Sequence, residues 1–471
     1  MAVEPRDEVS AWRAGLRMAK SAPDAALVRE RERIVELERR PWLGRTIGYL
    51  GLMGPGYMQS ALTLGAGTAS ASLFAGAVFG YSLLWVAPVA MLIGVLMMSA
   101  IAHQTLSTGM RPFEAVRRFA GSWVAWAWAL SALLASIIWH FPQYTLASSA
   151  LVDIGDALGS PGWRPQIASA CVLVTAIAMS ALYGSSPRWV RVYEHVLKFC
   201  VWGIVLSFAA VVVATGIGDW GALVRGFTAF EIPGERNGVL GGVVALSGLG
   251  AAVGVNMLFL YPYTLLARGW GREHRRLARL DLVVGMLIPY TLATSLMVIA
   301  TANTLHLDGH FAARALMPVD AARSLAAVVG PTLGRVVFNA GLLAMALSTI
   351  SLHMLCCGFI GVELFGLEVG SWKYRLMSLV PAPAFLAPLW WSKMAVWVAV
   401  PTNAICGLFL PLAYIAFIKL HLDRRYLGDD RPRGPLAVVW VAGMVLAAML
   451  LVAASGWYAV TQLPRYFERS S

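Results

Sequence analysis

From residue 46 onward the chain alternates long apolar runs with short polar connections. The runs cover 46–79, 83–106, 123–152, 166–183, 196–215, 239–266, 282–304, 333–362, 376–391, 394–420 and 436–462. Most match or exceed the roughly 20 residues an α-helix needs to cross a bilayer, so the pattern predicts an all-α integral membrane protein of about eleven transmembrane helices. Ahead of them lies a polar arm of mixed sign, residues 1–45, ending in RERERIVELERR. Opposite charges three apart, Arg29 with Glu32 and Arg33 with Glu36, predict a solvated helix there. The arm has no apolar stretch of the kind a cleavable signal peptide carries. The expected organisation is a cytosolic arm (1–45), a transmembrane transporter domain (46–463) and a short C-terminal tail (464–471).

Composition agrees: of 471 residues 58% are hydrophobic and 13% charged, against roughly 45–50% and about 25% in soluble domains. Soluble enzymes are excluded. The net charge of +12 does not point to nucleic acid, because the cations sit in alternate loops. Arg111, Arg117 and Arg118 follow the second run, Arg188 and Arg191 the fourth, Arg268 to Arg279 the sixth, and Lys419 to Arg433 the tenth. Cations mark the cytoplasmic side of short loops, which predicts a multi-pass protein of the plasma (inner) membrane, partnered by the lipid bilayer, with its N-terminus in the cytoplasm. All five cysteines fall in apolar runs and none shows metal-ligand spacing, so neither a disulfide framework nor a cofactor is expected.

Two runs depart from plain Leu/Val/Ala helices. The first contains GPGYMQSALTLGAGTASAS and the sixth contains SGLGAAVGVN. Glycine costs about 1 kcal/mol inside a helix, and unpaired backbone survives at membrane depth only where protein or a water-lined cavity satisfies it. Gly76-x-x-x-Gly80 and Gly250-x-x-x-Gly254 also fit close helix packing. Matching placement five runs apart, beside Thr63, Thr68, Ser70, Ser72, Ser247 and Asn256, favours an inverted five-plus-five repeat with broken helices 1 and 6 and the substrate between them. That architecture belongs to secondary transporters.

The opening GPGYMQSALTLGAGTASASLFAGAVFGYSLLWV, followed by MLIGVLMMSAIAHQTLSTG, resembles the start of the Nramp family of proton-coupled divalent metal transporters. GLGAAVGVNMLFLY, LSTISLHMLCCGFIGVELF and Phe409-Leu410-Pro411 resemble that family's sixth, eighth and tenth helices. The resemblance implies a LeuT-like fold. It also places the family's first-helix aspartate, proline, glycine and asparagine at Gly65, Ala66, Gly67 and Thr68. The sixth-helix methionine falls at Gly254, the Pro-His pair at Val255-Asn256, and the second histidine at Tyr261. The third-helix acids fall at Ile138 and Phe141, and the tenth-helix amide is kept as Asn403.

No carboxylate falls deep within a run, since Glu194 and Glu363 stand near ends. A bare divalent ion at membrane depth needs a compensating charge, so no metal site is assigned. The expected substrate-binding residues are Gly65, Ala66, Gly67, Thr68, Gly254, Asn256, Met257 and Asn403, with His140 in the third run as the candidate for proton coupling. His353 stands in the eighth run without polar company in the sequence, and Asn303, Asn339 and Asn403 also suit bonds between helices. The glycine-rich backbone N–H groups suit a carboxylate, so the leading reading is secondary-active transport of a small organic solute, carboxylate-bearing or zwitterionic. The alternatives are proton-coupled transport of Mn, Fe or Mg ions by a rebuilt site, and a non-transporting Nramp-like scaffold or sensor.

Overall fold

The computed structural model describes residues 24–183, 187–306 and 330–462, with Leu16 and Pro464. The expected tail beyond Pro464 and the other residues before 24 lie outside them. Among the described residues nine helices are long and apolar enough to cross a membrane, and a tenth crossing is a bent pair. That pair is the first span, Pro55–Thr63 and Ala66–Phe79, bent by 55° at Leu64-Gly65. The sixth span is also interrupted, into Gly241–Ala252 and Val255–Ala267, with Val253 and Gly254 extended between them. Both breaks fall where the glycines predicted them.

The ninth span departs from expectation. Instead of one helix over 376–391 the chain forms short pieces, Trp372–Ser378, Ala382–Leu386, Pro388–Trp391 and Ser392–Met394. Pro381, Pro383 and Pro388 each lack an N–H and clash with the preceding turn, so no helix propagates through them. Hydropathy registers the apolar content and is blind to this interruption.

The glycines sort into two jobs. A Cβ on Gly76 would stand 2.0 Å from Thr301 Oγ1 and 2.3 Å from the Val298 carbonyl, and one on Gly250 would stand 2.6 Å from the Asn403 carbonyl. These two let spans touch backbone to backbone, the seventh against the first and the tenth against the sixth. Gly65, Gly67 and Gly254 instead line the breaks.

The charged end of the bundle is tied together by carboxylates. Asp281, wholly buried at the head of the seventh span, accepts from the N–H groups of Gly56 (2.7 Å) and Gly54 (3.4 Å) at the start of the first span. An anion there also complements the helix dipole. Lys198 donates to the Met53 carbonyl at 2.6 Å, and Arg268 pairs with Glu194 at 2.8 Å while donating to the Leu52 carbonyl at 3.2 Å. Burial opposes the Arg268 charge, but Glu194, Glu30 and Asp281 outweigh it and hold its pKa above the usual arginine value.

The arm helix, Asp24–Glu38, docks onto this end rather than standing free in solvent. Ile34 and Leu37 are buried, Glu30 accepts from Trp270 Nε1 at 3.1 Å, Arg31 pairs with Glu273 at 2.7 Å, and Glu38 pairs with Arg276. Ion pairs to the sixth-to-seventh connection replace much of the intrahelical pairing that the sequence suggested.

Removing one partner of a buried ion pair leaves an uncompensated charge. Arg268→Gln is therefore expected to destabilise the protein by about 3–5 kcal/mol, and Arg268→Gln with Glu194→Gln by much less. Chemical unfolding of the single and double variants in detergent measures the difference.

Candidate functional site

Breaking a helix at membrane depth exposes carbonyls and N–H groups, and the site is built by the side chains that take them up. At the first break the single hydroxyl proton of Thr349, on the eighth span, lies within reach of the Ala61 (3.1 Å), Leu62 (3.2 Å) and Leu64 (3.4 Å) carbonyls, and Ser348 donates to Ala61 (3.1 Å). From the third span, Gln143 Oε1 accepts from Ala66 N–H at 2.8 Å. Thr63 donates across to the Ala251 (2.9 Å) and Ala252 (2.6 Å) carbonyls, stitching the first break to the sixth.

Asn403 joins four spans. Its amide donates to the Gly67 carbonyl and to Ser247 Oγ, both at 3.0 Å, while its oxygen accepts from Trp139 Nε1 at 2.8 Å. Within the sixth break, Met257 N–H donates to Asn256 Oδ1 at 2.9 Å, and Gly254 N–H approaches Met257 Sδ at 3.4 Å.

Between the breaks lies a cavity of about 20 Å³ lined by Gly65, Gly67, Thr68, Gly254, Asn256, Met257 and Asn403, with Trp139, Gln143, Thr349 and His353 completing its wall. Seven of the eight expected binding residues therefore converge. Ala66 is not on the cavity wall, and its N–H is spent on Gln143. Much of the remaining polarity is committed too: Thr68 donates to the Thr63 carbonyl.

His140 lies outside the lining. Nδ1–H donates to the Ser136 carbonyl at 2.8 Å, and Nε2 is buried with no partner among the described residues. Its ring stands 5.2 Å from that of His353, which lines the cavity and stacks on Trp139 at 5.9 Å and 7°. His353 is the residue the sequence undervalued, because its polar company comes from the third span. Buried carboxylates stay away from the cavity among the described residues. Asp281 and Glu194 hold the charged end, Glu363 pairs with Arg111 (3.2 Å) and accepts from Tyr263 (2.7 Å), and Asp153 pairs with Arg335. Asn303 and Asn339 bond between segments, to Tyr81 and Asp153 respectively.

The profile of the Natural resistance-associated macrophage protein-like family matches residues 56–457. The chain belongs to the Nramp family. An Nramp-family relative, the divalent metal cation transporter MntH of Agrobacterium fabrum, is 23% identical over 415 residues, covering 85% of this chain and 86% of its own. The fold resembles that of the Eremococcus coleocola manganese transporter, solved with an aromatic bis-isothiourea compound, at a TM-score of 0.70 and 13% identity over 95% of this chain and 92% of that one. It also resembles inward-facing Mhp1, at a TM-score of 0.56 and 16% identity over 86% of this chain and 90% of that one. The architecture is thus the LeuT-like Nramp fold, a secondary-transporter scaffold.

A Cβ on Gly67 would lie 2.3 Å from Asn403 Oδ1, so even Gly67→Ala must displace the amide that joins the spans. Gly67→Ala is expected to reduce transport at least ten-fold while the protein stays monodisperse, whereas Gly51→Ala, where a Cβ meets nothing within 4 Å, leaves it unchanged. Asn403→Leu strands Trp139 N–H and the Gly67 carbonyl and is expected to cost about 1–3 kcal/mol in unfolding experiments.

Proposed function

We propose that the protein is a secondary-active transporter of the plasma membrane that carries a divalent metal cation, with its N-terminal arm on the cytoplasmic side. The observation that carries this reading is the family match over residues 56–457, and the small cavity agrees with it. At about 20 Å³ it has room for about one water-sized body, whereas pockets for organic ligands run to roughly 300–1,000 Å³. The MntH relatives named as divalent metal cation transporters support the same choice over an organic solute. So does the Ala66 N–H, which a carboxylate would have to take from Gln143.

Charge is handled without a carboxylate on the cavity wall. The first halves of the two broken spans end at Thr63 and Ala252, and the negative ends of such half-helices favour cations. His353, Met257 and Asn256 add neutral nitrogen, sulfur and oxygen donors, a set that suits transition ions better than Mg²⁺. His353 lines the cavity and His140 stands 5.2 Å from it on the third span, and since ionisable groups at membrane depth mark proton paths, the pair is assigned to proton coupling.

Uptake of Mn²⁺ into proteoliposomes, read by quenching of a trapped fluorophore with and without an inward proton gradient, tests the reading. Quenching above protein-free vesicles is expected, reduced at least ten-fold by His353→Ala and made insensitive to pH by His140→Ala. Folded protein that moves neither Mn²⁺ nor Co²⁺ overturns metal transport. A pH profile unaltered by His140→Ala overturns the coupling role alone.

A further inference from the structure

We propose that the groove between the end of the tenth span and the start of the eleventh binds an anionic phospholipid. The tenth span ends at Leu422, and the chain turns through the short segments Arg424–Leu427 and Gly428–Asp430 before Pro435 opens the eleventh span, Pro435–Thr461. Gly434 takes φ +86, which lets the chain swing into that helix with proline at its first position. The turn leaves a groove of about 860 Å³, far larger than the transport cavity and wholly separate from it in its lining.

The groove has two chemically distinct ends. Arg424, Arg431 and Arg433 stand at its mouth. Arg433 pairs with Asp429 at 3.2 Å, but both are largely exposed, so water screens that contact. Asp430 is taken by Arg272 (2.7 Å) and Arg275 (3.0 Å). Arg424 and Arg431 have no ion-pair partner among the described residues. The positive end of the 27-residue eleventh helix opens at the same place, adding to a potential that favours an anion.

Below the arginines the wall is apolar. Ala437, Val438, Val441 and Val445 line it, at spacings of one, three and four that keep them on one face of the helix. From Gly434 to Val445 that face runs about 17 Å at 1.5 Å per residue, close to the roughly 15 Å of one hydrocarbon leaflet. Trp440, on the next turn, donates its indole N–H to the Leu96 carbonyl at 3.3 Å and has Arg279 over its ring at 5.9 Å, a pairing typical of headgroup depth. A phosphodiester over the arginines with an acyl chain along the valines satisfies both ends. A free phosphate leaves the apolar wall unexplained, and a zwitterionic lipid gains little from two unpaired guanidinium groups. The loop is also among the most cation-rich, the side that faces anionic lipid.

The test uses the full-length protein, passed through nanodiscs of equal phosphatidylglycerol and phosphatidylcholine, extracted into mild detergent and weighed by native mass spectrometry. Retained phosphatidylglycerol is expected to exceed phosphatidylcholine by about ten-fold. Arg424→Gln with Arg431→Gln, checked for unchanged melting, is expected to bring the ratio near one. Val441→Trp, which fills the apolar wall and keeps the arginines, is expected to lower retention of both lipids. Equal retention by the wild type, or a ratio unmoved by the arginine substitutions, overturns the site. If Val441→Trp leaves phosphatidylglycerol bound and millimolar inorganic phosphate displaces it, the groove is an anion site and the lipid assignment falls.

Discussion

Everything in this bundle answers to one constraint: a helix broken at membrane depth must have its freed backbone groups satisfied by protein. The first span gives up its regular ladder around Leu64-Gly65, and the bonds it loses reappear as contacts to other spans. Thr349 and Ser348 of the eighth take the carbonyls, Gln143 of the third takes the Ala66 N–H, and Asn403 of the tenth takes the Gly67 carbonyl. Leaving such groups bare costs several kcal/mol each in hydrocarbon. The spans around the break are therefore fixed in place by the break itself.

This constraint explains which parts of the protein were legible in its sequence. Glycine clusters announce a break locally, so the interruptions at Gly65 and Gly254, with Thr68 and Asn256 beside them, could be read from composition and spacing, while Asn403 is placed by the family resemblance alone. The partners of the breaks could not be read. Thr349 and Gln143 look like ordinary polar residues in apolar runs, and nothing near them in sequence says that a carbonyl from a distant span awaits. His353 looked isolated in the sequence for the same reason, its neighbours Trp139 and His140 lying more than two hundred residues away. Asp281 stood at the edge of a hydropathy window, although it is wholly buried and holds the start of the first span. The ninth span shows the opposite error, an apolar run whose prolines outweigh its hydropathy.

The charged end stands in a definite mechanical relation to the cavity. The half-helix Pro55–Thr63 is held at its start by Asp281, with Lys198 and Arg268 on the preceding carbonyls, and at its end by Thr349 and Ser348, just where Leu64 and Gly65 leave helical geometry. It is a short rod that joins the charged end directly to the cavity. The arm helix adds to the hold at the charged end, because Glu30 reaches both Arg268 and Trp270. The arm helix thereby reinforces a cluster of buried charges whose separation would leave them uncompensated.

The neutral cavity changes the energetics of carrying a divalent ion without making it unphysical. With no carboxylate among the residues lining the cavity, attraction for the proposed cargo falls to half-helix ends, a thioether, an amide and an imidazole. Binding by dipoles is weaker than binding by a full opposite charge. The empty site is then uncharged, so the return step carries no buried anion across the bilayer. The ionisable group nearest to a cargo there is His353, on the cavity wall, stacked on Trp139 and 5.2 Å from His140.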